Sequence, residues 1–181
     1  MSEQTSWDEL PGDLMMWVLV ISELLVFGAG LLAFLGVRIT DSAGFSEAQT
    51  VLNATGAGIN TVVLVTSGFL AACALPFIET GRRGLARLAL LGASLLGVVF
   101  LVIKGVEFAQ KSALGVTYDT HPFFTFYYLL TGFHAAHVVA GIVILGLVAW
   151  RLEPRSVEVG ALFWHMVDLV WLLLFPVIYL L

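Results

Sequence analysis

The chain has 181 residues, of which 60% are apolar and 12% are charged, whereas about 25% are charged in an ordinary soluble domain. This composition excludes a disordered chain, and 8 Lys and Arg against 13 Asp and Glu exclude a nucleic-acid binder, which needs basic patches. The single cysteine, Cys73, excludes a disulfide framework within the chain. The composition is that of an integral membrane protein.

Five apolar runs are long enough to cross a bilayer, which requires about 20 residues of helix. They cover approximately residues 14–37, 57–77, 85–106, 123–150 and 157–181. We therefore predict an all-α, polytopic bundle of five transmembrane helices. It forms a single membrane domain, residues 14–181, after an acidic N-terminal segment, residues 1–13.

Two prolines mark the last two helices. Pro122 lies in the first turn of the fourth helix, where Asp119 and Thr120 are candidate caps. Pro176 lies within the fifth helix and predicts a mild kink, because it cannot donate a hydrogen bond to the carbonyl of Leu172.

The basic residues of the loops predict the orientation of the bundle. The side that holds the N-terminus collects Arg82, Arg83, Arg87, Arg151 and Arg155, whereas the other side has Arg38 and Lys111. The positive-inside rule then places the N-terminus in the cytoplasm and the C-terminus outside, in the periplasm of a bacterium.

Ionisable side chains within the spans should face the bundle, because each is costly in hydrocarbon. They are Glu23, Lys104, Glu107, His134, His137, His165 and Asp168. Lys104 and Glu107 are three residues apart and share a face with the small residues of the third helix. We interpret them as an outer ion pair that pins two helices, with a proton or ion relay as the alternative.

The fourth helix is expected at the centre of the bundle. His134 and His137 project together from one face, and Gly132, Ala136 and Ala140 form a small-residue stripe on the other. This pattern predicts that both faces are covered by protein.

The fifth helix carries Trp164, His165, Asp168 and Trp171 within one arc. At 1.5 Å per residue, a common depth is predicted for Glu23, His137, His165 and Asp168. We interpret these four residues, with His134 nearby, as a buried hydrogen-bonded network that fixes helix packing. A metal or haem site and a transport pathway are the alternatives, although no glutamate stands three residues before a histidine, as helical di-iron proteins require.

Several motifs together resemble subunit III of the haem-copper oxidases. The segment ISELLVFGAGLLAF is similar to the family's third helix, and GINTVVL, with Asn60 and Thr61, is similar to the start of the next one. KGVEF supplies the family's glutamate and aromatic pair, and TGFHAAHVVAG, with Gly132, supplies its two-histidine run. FWHMVDLVW supplies the Trp-His and Asp signature that includes Trp164 and Trp171.

The resemblance implies an accessory subunit that has no catalytic residue, haem or metal of its own. Such a subunit packs against a catalytic subunit that holds the haem with copper or non-haem iron. In proton-pumping oxidases it supports proton uptake. Membrane lipid is a further partner, and the implied location is the cytoplasmic membrane of a bacterium.

Two features favour a particular branch of that family. The chain starts at the family's third helix, and Lys104 and the segment THPFFTFYY replace the usual oxidase residues. Both features look more like the short five-helix NorE proteins that accompany nitric oxide reductase. We therefore expect the large subunit of a nitric oxide reductase as the partner, with subunit III of a cytochrome c or quinol oxidase, bound to subunit I, as the alternative.

Overall fold

A computed structural model describes residues 14–181, so the acidic segment 1–13 lies outside the described residues. The described part is helical and contains no β-strand. Its helices are α1 (Leu14–Thr40), α2 (Ser42–Thr50), α3 (Ala54–Glu79), α4 (Arg83–Ala113), α5 (Pro122–Arg151) and α6 (Pro154–Phe175). A π-helical turn, Pro176–Leu180, follows α6.

Five helices are long and apolar enough to span a membrane, as the sequence predicted. They are α1, α3, α4, α5 and α6 together with the π-helical turn. Helices α3 to α6 pack in a ring, in which α3 contacts both α4 and α6, and α1 lies against α5 and α6.

The centre of the bundle is α6 rather than α5, so the prediction about the fourth span is wrong. Of the most apolar window of each helix, 56% is buried in α6 and 33% in α5. Ala136 and Ala140 on α5 are exposed, which leaves the predicted small-residue stripe uncovered within this chain. Helix α6 is central because its large aromatic side chains fill the space between α3, α4 and α5.

The π-helical turn stands where the sequence predicted a kink. Proline has no N–H, so the regular bonding of α6 cannot continue through Pro176. The chain shifts to wider turns, in which the Leu181 N–H donates to the Pro176 carbonyl at 3.0 Å. Gln49 Nε2 donates to the Ile178 carbonyl at 3.2 Å, and the Arg38 guanidinium donates to the Leu181 carbonyl. These contacts hold the turn in place.

At the opposite end of the bundle, two arginines satisfy carbonyls where α5 ends. Arg83 Nη2 donates to the Leu152 carbonyl at 3.2 Å, and Arg87 Nε donates to the Ala149 carbonyl at 3.0 Å. The last carbonyls of a helix have no partner within it, so these bonds join the start of α4 to the end of α5.

The sequence analysis did not predict the short helix α2 or the residue that caps α5. Helix α2 begins after Asp41, whose Oδ1 accepts a hydrogen bond from the Gly44 N–H at 3.1 Å. The cap of α5 is His121, whose Nδ1 accepts from the Phe123 N–H at 3.1 Å, and not Asp119 or Thr120. His121 Nε2 also lies 3.1 Å from Asp41 Oδ2, which ties the start of α2 to the start of α5.

This polar link predicts a pH dependence outside the membrane spans. The Gly44 N–H, and secondarily the His121 side chain, hold the pKa of Asp41 below its usual value. A lowered pKa in the folded state means that the stabilisation is complete above the unfolded pKa and is lost as the pH falls through the folded one. NMR titration of the Asp41 carboxyl should therefore give a midpoint below that of an unstructured aspartate.

A variant separates the two causes. His121→Ser keeps a capping oxygen but is too short to reach Asp41. The substitution should raise the pKa of Asp41 only partly, because the Gly44 N–H still donates. A wild-type midpoint at the unstructured value would contradict this role of the link.

Candidate functional site

A buried ionic cluster lies between α4, α5 and the π-helical turn. It consists of Lys104, Glu107, Lys111, Tyr127 and Tyr179, and we call it the Glu107 cluster. Lys104 Nζ lies 2.7 Å from Glu107 Oε2, and Lys111 Nζ lies 2.9 Å from Oε1. The side chain of Glu107 is only 10% exposed, and those of the two lysines are 3% and 5% exposed.

The two tyrosines complete the hydrogen bonding of Glu107. Tyr127 Oη donates to Glu107 Oε1 at 3.0 Å, and Tyr179 Oη does so at 3.1 Å. Lys104 Nζ donates to Tyr179 Oη at 2.6 Å. The carboxylate therefore accepts bonds from three elements of the bundle.

The cluster has two ammonium groups for one carboxylate, so it is cationic when all three are ionised. Aromatic faces offset part of this charge, because a ring carries negative potential on its face. Lys104 Nζ lies 5.1 to 5.4 Å from the ring centres of Phe108, Tyr127, Trp171 and Tyr179. The structure thus brings the predicted pair together and adds Lys111, Tyr127 and Tyr179, which the sequence analysis missed.

The other predicted ionisable residues form two separate pairs and not one layer. His137 Nε2 lies 3.2 Å from Glu23 Oε2, between α5 and α1. His165 Nδ1 lies 3.9 Å from Asp168 Oδ2, and both residues are on α6. The expectation of a single buried cluster is therefore wrong, because Glu23 and His137 meet between α1 and α5, whereas the carboxyl group of Asp168 lies against Gly68 of α3.

The Glu23 and His137 side chains are close, but Glu23 Oε2 is buried without a hydrogen bond among the described residues. His137 Nδ1 lies 2.9 Å from the Phe133 carbonyl, so it carries a hydrogen when it bonds that oxygen. The side chains are 16% and 25% exposed, so the pair lies at the edge of the bundle and not in its core.

His134 is fully buried in an aromatic environment. Its ring stacks on Trp171 with centres 5.3 Å apart, and the Phe100 ring lies edge-on at 5.6 Å. Neither ring nitrogen has a hydrogen-bond partner among the described residues. His134 therefore packs among aromatic rings and makes no hydrogen bond to either pair.

The two tryptophans of α6 donate to hydroxyls of α3. Trp164 Nε1 donates to Ser67 Oγ at 3.0 Å, and Trp171 Nε1 donates to Thr61 Oγ1 at 2.9 Å. Asn60, next to Thr61, donates from Nδ2 to the Phe100 carbonyl of α4 at 3.2 Å. These motif residues thus join α3 to α6 and α4. Gly132 makes no such contact, because a Cβ added there would meet no atom within 4 Å.

Within residues 14–181, no group of three or more His, Cys, Asp and Glu side chains is arranged to hold a metal ion. The residues considered for a metal site are the two pairs described above, of which one joins α1 to α5 and the other lies on α6. What the arrangement supports chemically is helix packing through buried hydrogen bonds.

These features define a multi-pass, all-helical membrane protein whose polar motif residues join its helices. The family profile of cytochrome c oxidase subunit III matches residues 12–181. The chain therefore belongs to the cytochrome c oxidase subunit III family.

Relatives from bacteria and fungi match different shares of their own length. Cytochrome c oxidase subunit 3 of Corynebacterium diphtheriae is 30% identical over 173 residues, which are 90% of this chain and 84% of that protein. Cytochrome c oxidase subunit 3 of Podospora anserina is 35% identical over 129 residues, which are 67% of this chain and 47% of that protein. The chain thus spans about half the length of such fungal relatives.

A third relative bears on the partner. The protein named heme-copper oxidase subunit I+III of Aeropyrum pernix is 28% identical over 179 residues, which are 91% of this chain and 22% of that protein. All three relatives are named as oxidase subunits, so the comparison favours the oxidase alternative over the nitric oxide reductase branch. The match covers 84% of the Corynebacterium protein, so an oxidase subunit 3 can be nearly as short as this chain. A short chain therefore no longer favours the nitric oxide reductase branch.

Proposed function

We propose that the chain is a non-catalytic accessory subunit of a haem-copper oxidase, bound to the catalytic subunit I, which carries the haem and copper. The observation that carries the proposal is the Aeropyrum relative, whose name gives subunits I and III in one chain and which aligns with 91% of this one. A fused chain keeps its two parts together at high effective concentration, as expected for partners. The proposal assigns packing roles to Glu23, His134, His137, His165 and Asp168.

Purification in mild detergent tests this assignment. A tag on the chain should recover subunit I of an oxidase in equal amount, together with haem absorption and copper. The isolated chain should show no haem band and no stoichiometric metal. Recovery of a nitric oxide reductase large subunit with non-haem iron would instead support the nitric oxide reductase alternative, and recovery of neither subunit would contradict both.

We also propose that the subunit supports oxidase activity and does not perform it. Membranes that lack the chain should retain oxygen consumption at first but lose it faster during turnover, or acidify more slowly if proton uptake is affected. Unchanged initial rate, lifetime and proton uptake would restrict its role to assembly. Membrane lipid would cover the exposed apolar side chains that the partner leaves free.

The proposed location is the cytoplasmic membrane of a bacterium, with the N-terminus in the cytoplasm. The arginines at the start of α4, which donate to carbonyls at the end of α5, carry this orientation. Alkaline phosphatase fused after Leu181 should be active, because that enzyme folds only outside the cytoplasm. The same fusion after Gly81, in the turn between α3 and α4, should be inactive, and the reverse pattern would contradict the orientation.

A further inference from the structure

A polar pair faces outward in the middle of the membrane, in a groove between α3 and α6. The span Pro154–Leu180 has 27 residues, so its middle is residue 167, between His165 and Asp168. The side chain of His165 is 44% exposed, contrary to its predicted burial, whereas that of Asp168 is 10% exposed. An exposed ionisable group at this depth is costly in lipid.

The bonding of this pair is incomplete within the chain. The 3.9 Å between His165 Nδ1 and Asp168 Oδ2 is too long for a hydrogen bond. Asp168 Oδ1 is buried and has no hydrogen-bond partner among residues 14–181. Gly68 of α3 lies directly against this carboxyl group, because a Cβ at Gly68 would clash with Asp168 Oδ2.

The groove beside the pair has a shape that suits the packing of another helix. Its volume is about 370 Å³, and its apolar lining includes Val65 and Phe69 of α3 and Leu169 and Leu172 of α6. These residues recur at spacings of three and four along their helices, which produces the ridges and grooves into which another helix packs. All four are more than 40% exposed, so they form an apolar rim around the polar centre.

We propose that this groove binds a transmembrane helix of the catalytic subunit, one side chain of which hydrogen-bonds to the exposed imidazole of His165, whereas Asp168 Oδ1 is too buried for such a partner to reach. The proposal rests on the proposed function. A lipid headgroup does not reach the middle of a core about 30 Å thick, and an acyl chain has no donor. Glu23 Oε2, 3.2 Å from His137 Nε2, is likewise buried without a hydrogen bond among the described residues, but the side chain of Glu23 is 25% exposed whereas that of His165 is 44% exposed.

Photo-crosslinking in the intact complex tests the groove. p-Benzoylphenylalanine is placed at Leu169 or Leu172, which are 44% and 42% exposed. Matched positions outside the groove are Leu91 of α4 and Leu19 of α1, which are 47% and 39% exposed. We expect the groove positions to crosslink to the haem-bearing subunit and the matched positions to give at least about tenfold less of that product.

His165→Leu tests the hydrogen bond itself. The change keeps a side chain of similar size in the groove but removes both ring nitrogens, so recovery of the catalytic subunit should fall about tenfold in high detergent. The thermal midpoint of the isolated variant should stay within a few degrees of the wild type. Equal recovery with wild-type His165 and the variant would contradict the hydrogen bond to the partner.

The outcomes separate this proposal from the proposed function. If the complex forms but Leu91 or Leu19 crosslinks to the catalytic subunit in place of the groove positions, the groove assignment is wrong and the accessory function stands. Crosslinks from Leu169 to a second copy of this chain, or to no protein, would also overturn the groove assignment. If no haem-bearing subunit is recovered with the wild-type chain, both proposals fail.

Discussion

Replacing Glu107 by glutamine should lower the free energy of unfolding of the purified chain by about 3 to 5 kcal/mol. The substitution removes the carboxylate that faces Lys104 and Lys111 at 2.7 and 2.9 Å. Two ammonium groups then remain buried without a counter-charge, and the glutamine amide can turn a donor toward them. Denaturation in mixed micelles, followed by circular dichroism, measures the change.

Two further variants make the test specific. Glu47→Gln changes an exposed glutamate of α2 and should alter the stability by less than about 0.5 kcal/mol. Glu107→Gln combined with Lys104→Met removes one uncompensated ammonium group and should recover part of the lost stability. If Glu107→Gln behaves like Glu47→Gln, the cluster does not stabilise the bundle.

Only some of the residues that contact Glu107 could be predicted from the sequence. Helical spacing placed Lys104 and Glu107 on one face of α4, and that face is buried. Lys111 follows Glu107 by four residues and therefore lies on the same face, yet it was counted among loop charges because the apolar run ends near residue 106. Tyr127 and Tyr179 belong to other helices, and no spacing within α4 could identify them.

The predicted polar layer failed for a related reason. Depth along a helix follows from residue counting, and it correctly gave similar depths to Glu23 and His137, which are now seen in contact. The rotation of each helix about its axis depends on packing with its neighbours. The exposed side of α6 holds His165 because Trp164, Val167 and Trp171 occupy its buried sides.

Span number and family were accessible because both depend on features local in sequence. Apolar length sets the five spans, and short motifs such as FWHMVDLVW carry the family signal. The branch within the family was not accessible in this way. It rested on chain length and on a few residues such as Lys104, whose environment here is a packed cluster that does not identify a partner.

Gly141→Ala should lower the stability of the chain by about 1 to 3 kcal/mol, even though alanine is the better helix former. The ring of Trp164 lies between α4 and α5, against Gly97 and Gly141. A Cβ at Gly141 would lie 2.5 Å from Trp164 Cε3, and one at Gly97 would lie 2.6 Å from Cη2. The ring cannot move from one glycine without approaching the other, and its Nε1 is held by Ser67.

Trp164→Ala should be the more severe change and lower the free energy of unfolding by about 3 to 5 kcal/mol, because it leaves a cavity where four helices meet.

Gly146→Ala is the matched control for Gly141→Ala, since Gly146 lies on the same helix as Gly141 and a Cβ there meets nothing within 4 Å. It should leave the stability unchanged or raise it by about 0.5 to 1 kcal/mol through helix propensity. In the double variant Gly141→Ala with Trp164→Phe, the smaller ring should relieve part of the clash. The loss of stability in the double variant should therefore be smaller than the sum of the losses in the two single variants. Strict additivity, or equal effects of Gly141→Ala and Gly146→Ala, would mean that the tryptophan is not held between these two glycines.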